Sequence, residues 1–160
     1  MMATGFPLPD GPKVAQLLGM LFDGLAVKAG GAVDQTPQGG AWFGVFISDE
    51  GETVGLCAAD IALSASMSSA LSMLPVNVAK DAVKTRELTE VMIANIREIM
   101  NICTRLMMDG TSPHLRLEEV YSVKSLPAAA AALLAQPRGR SVFQIQLPKY
   151  GGGSLALLCA

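Results

Sequence analysis

The sequence predicts an α+β domain: an antiparallel or mixed sheet built from hairpins, with a long amphipathic helix and shorter helices packed on it. Three observations carry this reading. Strand-like runs come in pairs joined by short polar or glycine turns, at 41–58 and 141–159. Helical segments stand between those pairs, an order unlike that of a doubly wound parallel sheet. One stretch, Arg86 to Met108, contains neither proline nor glycine and repeats apolar residues every three or four positions.

Taken in order, Pro7, Pro9 and Pro12 make residues 1–12 an irregular lead-in to a single domain over 13–160. Asp10 offers a cap for a helix from Lys13 to Lys28, in which Val14, Leu17, Leu18, Leu21, Phe22 and Leu25 share one face. Gly30-Gly31 ends it. Ala41 to Ser48 is aromatic and β-branched, Asp49 to Glu52 is a polar turn, and Thr53 to Ala58 returns as the second strand of a hairpin. Trp42 and Phe46 are expected in the core or at a dimer contact. Asp60 caps a helix from Ile61 to Leu74, whose many serines leave a modest apolar face of Leu63, Met67, Ala70, Leu71 and Leu74.

Val76 to Lys84 reads as a connector, with Thr85 capping the long helix. In that helix Leu88, Val91, Met92, Ile96, Ile99, Cys103 and Leu106 form the apolar face. Glu90, Ala94, Arg97, Asn101 and Arg105 lie opposite, with Glu98 beside them. At ~1.5 Å per residue the rod would span about 33 Å. Met92, Met100, Met107 and Met108 read as core filling. Asp109 to Pro113 stops the helix. Leu115 to Val123 alternates as a strand, and Ser125 to Gln136 is an alanine-rich short helix. Ser141 to Pro148 alternates cleanly, Lys149 to Gly153 is a glycine turn, and Ser154 to Cys159 is apolar enough for a central strand.

Composition removes several function classes. With 51% hydrophobic and 16% charged residues the chain folds. A net charge of −2 without a basic cluster leaves no electrostatic footprint for nucleic acid or for an anionic membrane surface. Cys57, Cys103 and Cys159 are far apart in apolar runs, as buried reduced thiols are. One histidine, His114, in a turn and expected to be exposed, is too few for a histidine metal site or a Ser-His-Asp triad. Residues 1–12 lack the charged head and apolar core of a signal peptide, and no apolar run is long enough to span a bilayer. The expected compartment is the cytoplasm. Gly151-Gly152-Gly153 lacks the lysine and following helix of a phosphate loop.

The chemistry concentrates on Glu98 and Asn101, a carboxylate and an amide one helical turn apart on the polar stripe. Arg97 and Arg105 flank Asn101 at i−4 and i+4, a spacing suited to a phosphorylated acidic partner. A plain solvated helix face accounts for these residues about equally well.

The segment Arg97-Glu98-Ile99-Met100-Asn101-Ile102, in a long helix preceded by a hairpin and by the Asp60-capped helix, resembles the CheC/CheX/FliY group of chemotaxis phosphatases. The likeness covers most of Lys13 to Cys159 in order. It implies action on a phosphorylated receiver domain of the CheY type. Asn101 would orient the water that attacks the aspartyl phosphate, and Glu98 would hold the receiver's lysine. Arg97, Arg105 and Ala94 would touch the partner; Ala94 stands where many members carry Ser or Asp. The resemblance implies no cofactor of the chain's own, with Mg²⁺ supplied by the receiver. A single E-x-x-N helix is similar to the single-site CheX type, which implies a homodimer. Two other readings stand beside this one: a non-enzymatic interaction module of the same fold, and a small-ligand-binding domain with an uninvolved polar stripe.

Overall fold

The computed structural model describes residues 5–160; the first four residues of the expected lead-in lie outside the described residues. The chain runs α1 (Gly11–Gly19), β1 (Ala26–Ala29), β2 (Trp42–Ser48), β3 (Thr53–Ala59), α2 (Ile61–Leu71), α3 (Val76–Thr85) and α4 (Glu90–Cys103). A 3₁₀ turn, Thr104–Met107, then leads to β4 (Leu115–Ser122), α5 (Ala128–Ala135), β5 (Gly139–Leu147) and β6 (Gly151–Cys159). The strands form one sheet in the order β1-β5-β6-β3-β2-β4. Every pairing is antiparallel. The fold is α+β as the hairpins predict, with the apolar Ser154–Cys159 stretch in a central strand.

Strand alternation sends side chains to two apolar layers. Phe46, Cys57, Phe143, Ile145, Leu155 and Leu157 face α1, α2 and α4. Phe43, Val45, Leu56, Ala58, Ala156 and Leu158 face the other way, where Ala130 and Leu133 of α5 cover them. The alanine-rich segment is therefore the lid of the second layer.

Four sequence readings need correction. Only the front of the Lys13–Lys28 segment is helical; Gly24 takes φ +77° and turns the chain, so Ala26–Ala29 pairs with β5 as an edge strand. The Val76–Lys84 connector is a helix, its small Ala79 and Ala82 buried against Ala65 and Met92. Thr85 ends that helix, and Arg86 follows in the left-handed region at φ 61°. The long helix is thereby shortened to Glu90–Cys103, about 21 Å, with Thr89 as cap. Finally, the glycine triplet lies inside β6, and the turn comes at 148–150. A Cβ at Gly153 would overlap the Asp60 carboxylate, so close approach and not turning is what demands glycine there.

Burial departs from expectation in places. The serines of α2 point inward: Ser64, Ser66, Ser68 and Ser69 are buried. Three of them bond to carbonyls, as Ser68 Oγ does to Ala65 O at 3.4 Å. Val91, expected in the core, is 54% exposed; Met92, Met100 and Met107 are fully buried. Phe46 is buried and Trp42 half-buried. Cys57 and Cys103 are buried free thiols, and Cys159 is half-buried.

Two local features set stability. Asp60 caps α2 by accepting from Leu63 N at 2.9 Å, and its other oxygen accepts from Ser154 N on β6 at 3.0 Å. Replacing it by alanine orphans both donors, so Asp60→Ala should cost about 1–3 kcal/mol in a denaturant titration. Met73 takes φ 52° just past α2 with its side chain exposed. Glycine adopts that conformation without strain, so Met73→Gly should gain about 0.5–1 kcal/mol and raise Tm by several degrees.

Candidate functional site

The polar face of α4 is shaped by what its apolar face requires. Met92, Ile96, Ile99, Met100 and Cys103 are buried, which fixes the helix rotation. Gly44 of β2 lies beneath Met100: a Cβ there would come within 2.9 Å of the Met100 sulfur. Without a side chain at Gly44 the helix lies close on the sheet. Asn95 adds a polar tether, donating from Nδ2 to Ser68 O of α2 at 2.8 Å and to Ser72 Oγ, just past that helix, at 2.7 Å.

With the helix so held, Ala94, Arg97, Glu98 and Asn101 are all exposed. At ~100° per residue they fall within an arc of about 100°, with Asn101 between Arg97 and Glu98. Neither Glu98 nor the Asn101 amide has a hydrogen-bond partner among the described residues. Arg105 is exposed on the 3₁₀ turn, beside a shallow groove that it shares with Lys13 and Gln16 of α1 and with Met20 just past it. The four α4 candidates therefore share one outward stripe, to which Ala94 contributes only a methyl group, and Arg105 is exposed beyond the end of the helix.

Arg97 has a partner that sequence reading missed. Its Nε donates to Glu119 Oε1 at 2.6 Å. Glu119 is itself anchored, the same oxygen accepting from Val120 N at 2.9 Å. The register explains the reach: Val45 pairs with Glu119 and Phe46 with Leu117, so β4 carries one extra residue, Glu118, at this point. The Arg97 guanidinium, followed by the Val120 N–H, holds the Glu119 carboxyl below the ordinary glutamate range. Adjacent glutamates in an otherwise alternating strand were the only trace of this bulge in the sequence.

Elsewhere, His114 is exposed as expected, its Nδ1 2.8 Å from Asp49 Oδ1. Cys57 and Cys103 lie against one another between β3 and α4; their contact, and then burial, pushes the Cys57 thiol well up. Among the described residues no three His, Cys, Asp or Glu side chains gather as a metal site. No helix among them is long and apolar enough to cross a membrane.

No protein-family model matches this chain, and no curated protein matches it in sequence. Solved structures do. FliY of Thermotoga maritima aligns with TM-score 0.60 and 12% identity, over 91% of this chain and 81% of that one. A chain of the CheX–CheY–BeF₃–Mg²⁺ complex from Borrelia burgdorferi aligns with TM-score 0.51 and 13% identity, over 91% and 90%. The chain has the fold shared by FliY and CheX.

The Arg97–Glu119 contact makes a measurable statement. Because Glu119's carboxyl is lowered in the folded state, the pair's contribution is present above the ordinary glutamate value of 4.5 and is lost as pH falls through the folded value. An NMR titration should find Glu119 titrating below 4.5 in the intact protein and returning toward it in Arg97→Ala. Both side chains are nearly half exposed, so the stability change should stay within about 1 kcal/mol.

Proposed function

We propose that this chain docks a phosphorylated receiver domain on the outer face of α4 and hydrolyses its aspartyl phosphate, in the manner of the CheX type. The observation that carries the proposal is the exposed Glu98–Asn101 pair, one turn apart and unpartnered among the described residues, on a helix whose other face is fully buried. The fold shared with FliY and with a chain of a CheX–CheY complex supports it.

Aspartyl phosphate hydrolysis needs a water placed in line with the phosphorus–oxygen bond to the aspartate, and little covalent help. The Asn101 amide supplies a positioned acceptor for a water hydrogen. The water oxygen bonds to phosphorus, the aspartate oxygen leaves with the bonding electrons, and the water's proton passes to solvent. Glu98 fixes the receiver by pairing with its lysine. Arg97 and Arg105 lie on either side of the pair as cations for the acidic partner, and Ala94 leaves room beside it. Mg²⁺ belongs to the receiver in this scheme. A homodimer with one such site per copy, working in the cytoplasm, is part of the same proposal.

A second reading rests on the Arg97–Glu119 pair: with one flanking arginine already engaged, the surface suits docking without hydrolysis. One experiment separates the two. Incubation with a phosphorylated receiver and Mg²⁺ should release phosphate faster than the receiver alone. Asn101→Ala should lower kcat by about 10²–10³. Both side chains are exposed, so neither Asn101→Ala nor Glu98→Ala should move stability by more than about 0.5 kcal/mol. An unchanged rate in Asn101→Ala removes that residue from the mechanism, and binding without turnover establishes the docking module.

A further inference from the structure

The chain's only tryptophan, Trp42, does not enter the core completely. It lines a cleft of about 460 Å³ where the start of β2, the end of β4 and the α3–α4 junction meet. Arg86, Leu88, Ser122 and Lys124 line it as well. Among the described residues lining it Glu87 is the one carboxylate, and the Asp34 carboxyl lies near enough to Arg86 to feel its charge.

Arg86 is the informative residue. It sits at the C-cap of α3 in the left-handed conformation, φ 61°, which glycine adopts without steric cost. Gly40 packs against it so tightly that a Cβ there would stand 3.1 Å from both the Arg86 Cβ and its carbonyl oxygen. The guanidinium is then aimed by one hydrogen bond, Nη1 donating to Gln38 O at 3.2 Å. The backbone is strained at a position where an arginine is the poorer choice for folding, and the side chain so placed borders a cleft with a second cation and an indole.

We propose that this cleft is a binding site for a planar aromatic anion of the nucleoside phosphate class. The ring lies against Trp42 and Leu88, and the phosphate sits between Arg86 and Lys124, where charge-assisted hydrogen bonds favour it. The volume lies in the range of small-molecule sites, about 300–1,000 Å³. The cleft adjoins the start of α4, and Thr89 is about 18 Å from Asn101 along the helix, so the bound group would lie away from the Glu98–Asn101 pair itself.

The intrinsic fluorescence of Trp42 reports directly on the cleft. The full chain is titrated with ATP, GTP, guanosine and pyrophosphate, with calorimetry in parallel. ATP or GTP should quench saturably with Kd below about 1 mM. Guanosine and pyrophosphate, each lacking half of the contacts, should bind at least about tenfold more weakly than GTP. Arg86→Gly and Lys124→Ala should each weaken nucleotide binding at least about tenfold, while Arg86→Gly keeps or raises Tm because the strain is relieved. Lys124 is exposed, so its variant separates lost binding from lost folding. No saturable binding of either nucleotide up to about 10 mM overturns the proposal. So does guanosine binding as tightly as GTP, or unchanged affinity in either variant.

Discussion

The contact on which the rest of this molecule depends is the seating of α4 on β2, with Met100 over the bare backbone of Gly44. Interiors close to crystal-like density, so a helix can approach a sheet only where the facing side chains leave room. Gly44 makes that room in the strand and Gly55 does so for Met107 in its neighbour. The methionine chains are flexible enough to fill what remains. Rotation of α4 is then no longer free, and the residues one position from Met100 in either direction are assigned by geometry: Ile99 inward, Asn101 outward.

That constraint explains an uneven distribution of polar groups around one helix. Asn95 points toward α2 and spends its amide on Ser68 and Ser72. Arg97 points toward the sheet edge and is held by Glu119. Glu98 and Asn101 lie between those anchored neighbours and face outward. A soluble helix face usually carries mobile, mutually compensating charges, whose pairs are worth little. Here the flanks are tied down and the centre is left exposed. The strained Arg86 beside Trp42 follows the same logic at the other end of the helix, where local conformation conflicts with the cheapest choice for folding.

How much was legible varied with the range of the controlling interaction. The 3.6-residue period read over 86–108 and the period-2 alternation of 141–148 are properties of neighbouring residues; the strand lies where its pattern places it, and the helix keeps only the middle of its segment, Glu90–Cys103. The second half of the Lys13–Lys28 segment carries a helix-like apolar pattern, yet becomes a strand because β5 offers an open edge to Ala26–Ala29. The buried face of α3 is made of alanines, which give little hydrophobic contrast until Ala65 and Met92 are brought against them. Gly151-Gly152-Gly153 has the composition of a turn, and only the Asp60 carboxylate across the sheet shows why a strand needs glycine there.

The sequence by itself determined the α+β class, the two hairpins, the identity of the long helix and the outward placement of Glu98 beside Asn101. The class and the hairpins rest on element order and short turns, and the helix and its polar pair on local periodicity, all of which the chain carries without reference to its fold. The tertiary structure alone decided that Glu119 holds Arg97, that Val91 is exposed while Met100 is buried, and that Trp42, Arg86 and Lys124 share a cleft. Each of those joins residues far apart in the chain through an extra residue in a strand, a glycine beneath a helix or a left-handed link between helices. Such meetings are set by packing, and no window of neighbouring residues contains them.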